Sequence, residues 1–373
     1  MSIFTLLLVS ISFLSCALGQ PQTQPLGTLH RRTYLYVGQT YIPEGNTSIA
    51  ADQMYVERLT PATVTQPLPI LIIHGMFMTG TNFLNTPDGR LGWADYFLSK
   101  GYEVYIVDQP SRGRSQWQPT EDGAVERFDL WPQAVLHTQW PGNGTKGDPI
   151  FDRFFASNVV SLNSSAEEDM KIKHAGSLLL DQIGPVILMT HSQAGAFGWI
   201  LADSRPNQVK AIVAMEPTGP PFINAIFPPF TAGRIYGLTD IPVTYDPPIR
   251  NASDIGRVVL KSVFYSLAAG PQPPQLIRTS EIPGVTCFQQ TEPARKLINL
   301  VDIPVLAVTS EASYHAQYDN CSVAFLRQAG VSVEHISLPD VGIHGNAHMF
   351  FMEKNNLQIV DTVINPWISK IRS

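Results

Sequence analysis

One short stretch restricts the fold of this chain more than any other: the apolar run Ile187–Met189, which leads into Ser192 and then into small residues. A buried strand that turns sharply into a helix here would hold the serine at the edge of a sheet with its hydroxyl accessible. The amide of Gln193 would lie at the start of the helix, where backbone N–H groups can bind an anion. The pattern predicts a nucleophilic serine, although Thr190 and Ala194 stand where glycine is usual.

Short apolar runs alternate with helical patterns along the chain, which is typical of parallel strands joined by crossover helices. This order predicts a doubly wound α/β sheet, in which ligands bind beyond the carboxyl ends of the strands. The predicted strands are Leu68–Ile73, Tyr102–Val107, Val186–Met189, Val209–Met215, Ile303–Thr309 and Val331–Leu338. The predicted helices are Leu91–Lys100, Ala194–Ala202, Ala316–Ala329 and Met349–Ile371.

Two stretches do not follow this alternation, at about 111–184, which is rich in Trp and Phe, and at about 218–296, which contains four Pro-Pro pairs. Both begin at the carboxyl ends of predicted strands, so we expect them to arch over the site as a cap. Long excursions of this kind are usually lids or binding loops. The alternative is a purely structural role. We predict one domain over residues 20–373 that includes both excursions.

The N-terminus resembles a secretory signal peptide. Residues 3–18 are almost wholly apolar or small, and Ala17-Leu18-Gly19 has the small-x-small pattern of a cleavage site. We predict that residues 1–19 are removed and that the mature protein is secreted without a stable membrane anchor. No positive charge precedes the apolar run, so an uncleaved anchor is the alternative.

Other features agree with secretion. Cys16 would leave with the signal, and Cys287 and Cys321 would remain as a pair that can form a disulfide in an oxidising compartment; the alternative is two unconnected thiols. The formal charge of -6 is spread without a basic run, which argues against a nucleic-acid partner. Predicted glycosylation acceptors are Asn46, Asn143, Asn163, Asn251 and Asn320.

A nucleophilic serine needs a base. His344 and His348 both follow the last predicted strand, in one loop. We favour His348 because it lies where the loop enters the closing helix, and His344 would then line the site or hydrogen-bond locally. A metal site on this i, i+4 pair is disfavoured, because Gly345-Asn346 indicates a loop and no third ligand pattern accompanies it.

The base needs an orienting acid, and the residues alone leave its identity open. Glu311 follows the next-to-last predicted strand, the common position of the acid in serine hydrolases, and Asp319 lies further on. Glu216 instead ends the strand directly after the nucleophile helix. A carboxylate there is costly unless it is exposed or paired with a cation or an imidazole.

The oxyanion formed on attack needs two hydrogen-bond donors. We predict the amide of Gln193 as one, and the amide of Met76, with Phe77 in reserve, as the other. His74 is expected to brace the turn that contains Met76, and His191 to point away from the reaction.

Four segments carry a resemblance to a known family: Ile73-His74-Gly75, Thr190-His191-Ser192-Gln193, Glu216-Pro217-x-Gly219-Pro220-Pro221 and Gly345-Asn346-x-His348-Met349. Over nearly the whole mature chain the sequence resembles α/β-hydrolases, and within them a subgroup of secreted bacterial and fungal esterases. The resemblance implies an α/β-hydrolase sheet and a triad with a glutamate after the sixth strand, here Glu216. It also implies His348 rather than His344 as the base.

Together these observations predict a secreted serine hydrolase that cleaves a small, apolar carboxylic ester through an acyl-enzyme, with no metal or organic cofactor. A second hypothesis keeps the fold but changes the reaction to that of a lactonase, an acyltransferase or a ring-forming enzyme of secondary metabolism, since an aromatic cap can exclude water. A third is a non-catalytic binding protein on the same scaffold, which the complete set of triad residues argues against.

Overall fold

The computed structural model describes residues 27–44, 47–115, 131–145, 147–159, 161–225, 231–262 and 286–371. The predicted signal peptide (1–19) and the predicted glycosylation acceptor Asn46 lie outside these ranges, as do parts of both predicted excursions. Asn143, Asn163, Asn251 and Asn320 are all exposed. Within the described ranges, no helix combines the length and the apolar character needed to cross a membrane.

An eight-stranded sheet forms the core, in the spatial order β1-β2-β4-β3-β5-β6-β7-β8. Strand β2 is antiparallel to β1 and β4, and the other neighbouring strands are parallel. The predicted doubly wound α/β sheet is therefore confirmed, and each predicted strand is present. The strands are β1 His30–Val37, β2 Met54–Pro61, β3 Ile70–Ile73, β4 Val104–Asp108, β5 Val186–His191, β6 Val209–Met215, β7 Val305–Thr309 and β8 Val333–Ser337.

Helices cover both faces of the sheet and bury its apolar side chains. Helices α3, α4 and α5 pack on one face, through side chains such as Ile172, Phe197 and Phe325. Helix α1 and the C-terminal helices pack on the other, through Trp93 and Ile359 among others. The helices are α1 Trp93–Ser99, α2 Pro149–Ala156, α3 Ser165–Ile183, α4 Ala194–Ser204, α5 Asp319–Gln328, α6 Asn356–Ile359 and α7 Asn365–Ile368, with a π-helical turn at Val360–Ile364.

The predicted closing helix over Met349–Ile371 is wrong in its first part, because α6 begins only at Asn356. A 3₁₀ turn precedes it, and the backbone at Glu353 is extended. The carboxylate of Glu353 is fully buried and accepts hydrogen bonds from the side chain of Asn346 (2.7 Å) and the amide of Ala347 (3.2 Å). This segment therefore ties down the loop before it instead of starting a helix.

In the described ranges, four pairs of short antiparallel strands lie outside the central sheet. Strands Arg257–Ser262 and Thr286–Gln290 pair antiparallel within the second predicted excursion. The predicted disulfide is present: Cys287 is bonded to Cys321, with their Cα atoms 5.3 Å apart. The disulfide joins this pair of strands to α5. The other paired strands are Thr40–Glu44 with Thr47–Ala51, Ile223–Asn224 with Thr231–Ala232, and Tyr245–Asp246 with Lys296–Leu297.

Candidate active site

Ser192 occupies a strained turn between β5 and α4. Its φ is +56°, in the left-handed region that residues with a side chain rarely adopt. The helix after the turn approaches Pro217 so closely that a Cβ on Gly195 would lie 2.4 Å from the Pro217 Cβ. The close approach that usually requires glycine two places after the serine therefore falls one place later, and Ala194 is accommodated.

Ser192, His348 and Glu216 lie in one line of hydrogen bonds. The Ser192 Oγ is 2.9 Å from His348 Nε2, and His348 Nδ1 is 2.6 Å from Glu216 Oε2. An ionised carboxylate only accepts hydrogen bonds, so Nδ1 carries the imidazole proton and Nε2 is left to accept one from Ser192. The arrangement can move a proton from the serine to the imidazole and stabilise the cation that results.

Glu216 is fully buried at the end of β6, where an unpaired charge would be costly. Burial by itself raises the pKa of Glu216, but the hydrogen bond and charge of His348, with further help from His315 and Ser310, lower that pKa to about 2. Its oxygens also accept hydrogen bonds from the amide of Ser310 (2.8 Å) and the hydroxyl of Ser313 (2.7 Å). The carboxylate is therefore ionised and fixed in orientation.

His191, which we expected to point away from the reaction, lies beside His348. Its ring is fully buried beside that of His348, with the centroids 4.5 Å apart. His191 Nε2 lies 2.9 Å from the carbonyl oxygen of His348 and so donates to it. Burial, then the neighbouring His348, holds the pKa of His191 well below its usual range. The neutral ring holds the backbone of His348 in place.

The two rival candidates, His344 and Glu311, pair with each other. His344 Nδ1 is 3.1 Å from Glu311 Oε1, and Glu311 Oε2 accepts from the amide of Gly345 at 2.8 Å. The His344 side chain is 61% exposed. Within the described residues, neither is hydrogen-bonded to Ser192.

The predicted oxyanion donors are the amides of Met76 and Gln193. In the described part of the chain, neither amide has a hydrogen-bond acceptor, whereas the reserve candidate, Phe77, donates its amide to Ser161 Oγ at 3.1 Å. The geometry therefore favours Met76 over Phe77.

The peptide between Gly75 and Met76 is held from one side. His74 Nε2 accepts from the amide of Gln109 at 3.1 Å, so His74 Nδ1 carries a proton and donates to the Gly75 carbonyl at 2.8 Å. Arg112 donates to the same carbonyl at 3.1 Å. Because the C=O and N–H of a trans peptide point in opposite directions, these bonds direct the Met76 N–H away from Arg112.

The buried Arg112 side chain also reaches the other predicted donor residue. It forms an ion pair with Glu168 of α3 and donates to the side-chain oxygen of Gln193 at 2.9 Å. Gln193 in turn donates to Glu168. One guanidinium thus links the two backbone segments that carry the predicted oxyanion donors. No motif in the sequence marks Arg112 for this role.

A second group of residues that no sequence motif marks lies around His348. His315 stacks on the imidazole, with centroids 4.7 Å apart and planes at 6°, and its Nδ1 pairs with Asp319 at 2.8 Å. Asp319, considered above as the acid, therefore serves His315 instead of His348. Tyr314 places its hydroxyl 3.2 Å from His348 Nε2.

Ligand atoms of Glu216, His315 and His348 lie within 4.8 Å of one another, a spacing that could hold a metal ion. Glu216 and His348 are, however, already bonded to each other, and His315 is bonded to Asp319 and, through Nε2, to the Tyr318 hydroxyl at 3.2 Å. An ion would have to break these bonds, so the arrangement fits proton transfer better.

Comparison with known proteins agrees with this fold. The profile of the alpha/beta hydrolase family matches residues 70–362. The chain is 44% identical over 355 residues to the probable secreted lipase phiG of a fungal species (strain ATCC 74256), which covers 91% of this chain and 89% of that protein. A solved structure described as that of a novel bacterial esterase superposes with a TM-score of 0.61 at 22% identity, covering 94% of this chain and 99% of the esterase. The chain therefore belongs to the alpha/beta hydrolase family.

Proposed function

We propose that this protein is a secreted serine esterase that hydrolyses carboxylic esters through a Ser192–His348–Glu216 triad. The observation that carries the proposal is the unbroken line of hydrogen bonds from the Ser192 hydroxyl to a buried, ionised Glu216. The relative named as a probable secreted lipase supports the same reaction class.

In this mechanism Ser192 Oγ attacks the ester carbonyl while His348 Nε2 takes its proton. The amides of Met76 and Gln193 bind the oxyanion of the tetrahedral intermediate. His348 then gives its proton to the departing alcohol, which leaves an acyl group on Ser192. Water activated by the same imidazole releases the acid. None of these steps calls on a metal or an organic cofactor.

The secretory part of the proposal rests on independent features. The Cys287–Cys321 disulfide suits an oxidising compartment, and the four described acceptor asparagines are exposed, as glycosylation requires. The substrate we propose is a small ester with an apolar acyl or alcohol group, because the predicted cap is rich in aromatic residues.

The direct test is Ser192→Ala, assayed on a short-chain ester and with a fluorophosphonate probe. We expect turnover to fall by about 10⁶ and labelling to be lost, since no other group can form the acyl-enzyme. Ser99→Ala, at an exposed serine of α1, is the matched control and should behave as wild type. Turnover or labelling that persists in folded Ser192→Ala would refute the proposal.

A further inference from the structure

Tyr314 lies at the reacting edge of the imidazole. It opens the 3₁₀ turn Tyr314–Gln317 after β7, and its hydroxyl is 3.2 Å from His348 Nε2 and hydrogen-bonded to Ser192. Its ring stands edge-on to Trp131, with the centroids 5.4 Å apart, and is 4.9 Å from the ring of His348. The phenol is thus fixed next to both groups that exchange the proton.

This hydroxyl lies beside a position that the substrate must occupy. In the proposed mechanism, His348 Nε2 serves two oxygens in turn, first Ser192 Oγ and then the oxygen of the departing alcohol. A general acid must lie within hydrogen-bond reach of the atom that it protonates. The leaving oxygen must therefore occupy a place close to Nε2 other than that of Ser192, and the Tyr314 hydroxyl borders that place.

The hydroxyl is suited to donate there. Burial, and then the negative charge of Glu216, raises the pKa of Tyr314 far above its usual range, so the phenol keeps its proton. As the bond between the carbonyl carbon and the alcohol oxygen breaks, negative charge builds up on that oxygen. A donor aimed at developing charge stabilises the transition state more than the ground state.

We propose that Tyr314 is a further catalytic residue, which donates a hydrogen bond to the leaving alcohol oxygen while His348 transfers its proton to the same atom. The proposal rests on the proposed esterase function. Tyr314 retains its own proton throughout. The Nε2–H bond of His348 and the ester C–O bond break, while the O–H bond of the alcohol forms and the carbonyl C=O of the acyl-enzyme re-forms. This assistance makes the site suited to esters of alkyl alcohols, which are poor leaving groups.

The test compares two esters of one acid, ethyl butyrate and p-nitrophenyl butyrate, in wild type and Tyr314→Phe. A nitrophenolate departs without needing a proton or a donor, whereas an ethoxide needs both. We expect kcat/KM for the ethyl ester, divided by that for the nitrophenyl ester, to fall about tenfold, the effect of one hydrogen bond. Because the ratio is taken within one protein sample, it does not depend on how much of the variant is folded.

Tyr318→Phe is the matched control, since Tyr318 lies in the same segment and bonds His315 rather than the reacting groups. Any change that it causes should affect both esters equally. An unchanged ratio in Tyr314→Phe would overturn the proposal and leave only a packing role for Tyr314. Failure of the esterase function itself would show separately, as activity that survives in Ser192→Ala.

Discussion

The two carboxylate–imidazole pairs that competed for the role of proton relay are alike in chemistry: Glu216 with His348, and Glu311 with His344. In the first pair the side chains are 0% and 13% exposed, and in the second 24% and 61%. The first continues to the Ser192 hydroxyl, whereas the second continues only to the amide of Gly345. Burial and a third partner, rather than residue type, distinguish a candidate proton relay from a hydrogen-bonded pair at the surface.

The difference has an electrostatic reason. An exposed pair is screened by water and contributes about 0–1 kcal/mol to stability. A buried carboxylate must instead be matched by donors, and Glu216 has them in His348, Ser310 and Ser313. Such a site holds the imidazole in one orientation and one tautomer, which general-base catalysis requires.

The largest expected effect comes from exchanging each carboxylate for an amide. Glu216→Gln should lower kcat by about 10⁴, because the amide can no longer hold His348 in the tautomer that accepts the proton of Ser192. Glu311→Gln should change kcat by less than about twofold, since its loss affects only a surface pair. Steady-state kinetics on a short-chain ester measures both.

These two variants are each other's controls, being the same substitution in the two pairs. A large loss in Glu311→Gln together with near-normal activity in Glu216→Gln would reverse the assignment of the acid.

The pH dependence gives the next largest effect. Burial lowers the pKa of His348 below its usual range, against the opposing effect of Glu216. Only the neutral imidazole accepts the serine proton, so kcat/KM should be constant near neutrality and fall tenfold per pH unit below a midpoint under about 6.5. Glu216→Gln should move this midpoint lower, because the carboxylate favours the imidazolium, and Glu311→Gln should leave it in place.

A midpoint above about 7 in the wild-type profile, or an equal displacement in both variants, would be a contradictory result. It would show that the loss of activity at low pH does not come from the His348–Glu216 pair.

The smallest effect is expected on stability at the exposed pair. His344→Gln should change the free energy of unfolding by less than about 1 kcal/mol, measured by urea denaturation at neutral pH. Arg205→Gln, which removes the surface ion pair with Asp181, is a comparable variant elsewhere. A loss above about 2 kcal/mol in His344→Gln alone would show that the outer pair is more than a surface contact.

The parallel part of the sheet could be predicted because most of its strands are largely apolar, as in Ile70–Ile73 and Val305–Thr309. The antiparallel β1 and β2 could not, because charged residues break their pattern. Glu57 in β2 is 1% exposed, and its charge is matched by Arg32 and Arg114, which come from other parts of the chain. Only the folded structure shows that pairing. Helix α3 was likewise hidden, lying inside a stretch that was expected to be an excursion.

For the site, order along the chain was informative, because parallel strands bring their carboxyl ends to one edge. That rule places Ser192, Glu216 and His348 near each other without a structure. It says nothing about side chains that reach the site from a single turn, as Tyr314 and His315 do, or through a buried ion pair, as Arg112 does. Their roles depend on short distances between side chains, which no motif or residue spacing in the sequence indicates.

Four consecutive parallel strands, β3 to β6, are each followed closely by a non-glycine residue in the left-handed backbone region: Phe77, Ser111, Ser192 and Glu216. Each such residue costs on the order of 1 kcal/mol of stability relative to a relaxed backbone. Selection of this protein for heat resistance alone would therefore reward glycine at these positions, and at Ser192 and Glu216 that exchange would remove the nucleophile and the acid of the proposed triad. Anyone engineering a more stable variant should keep Ser192 and Glu216 and seek stability elsewhere in the fold.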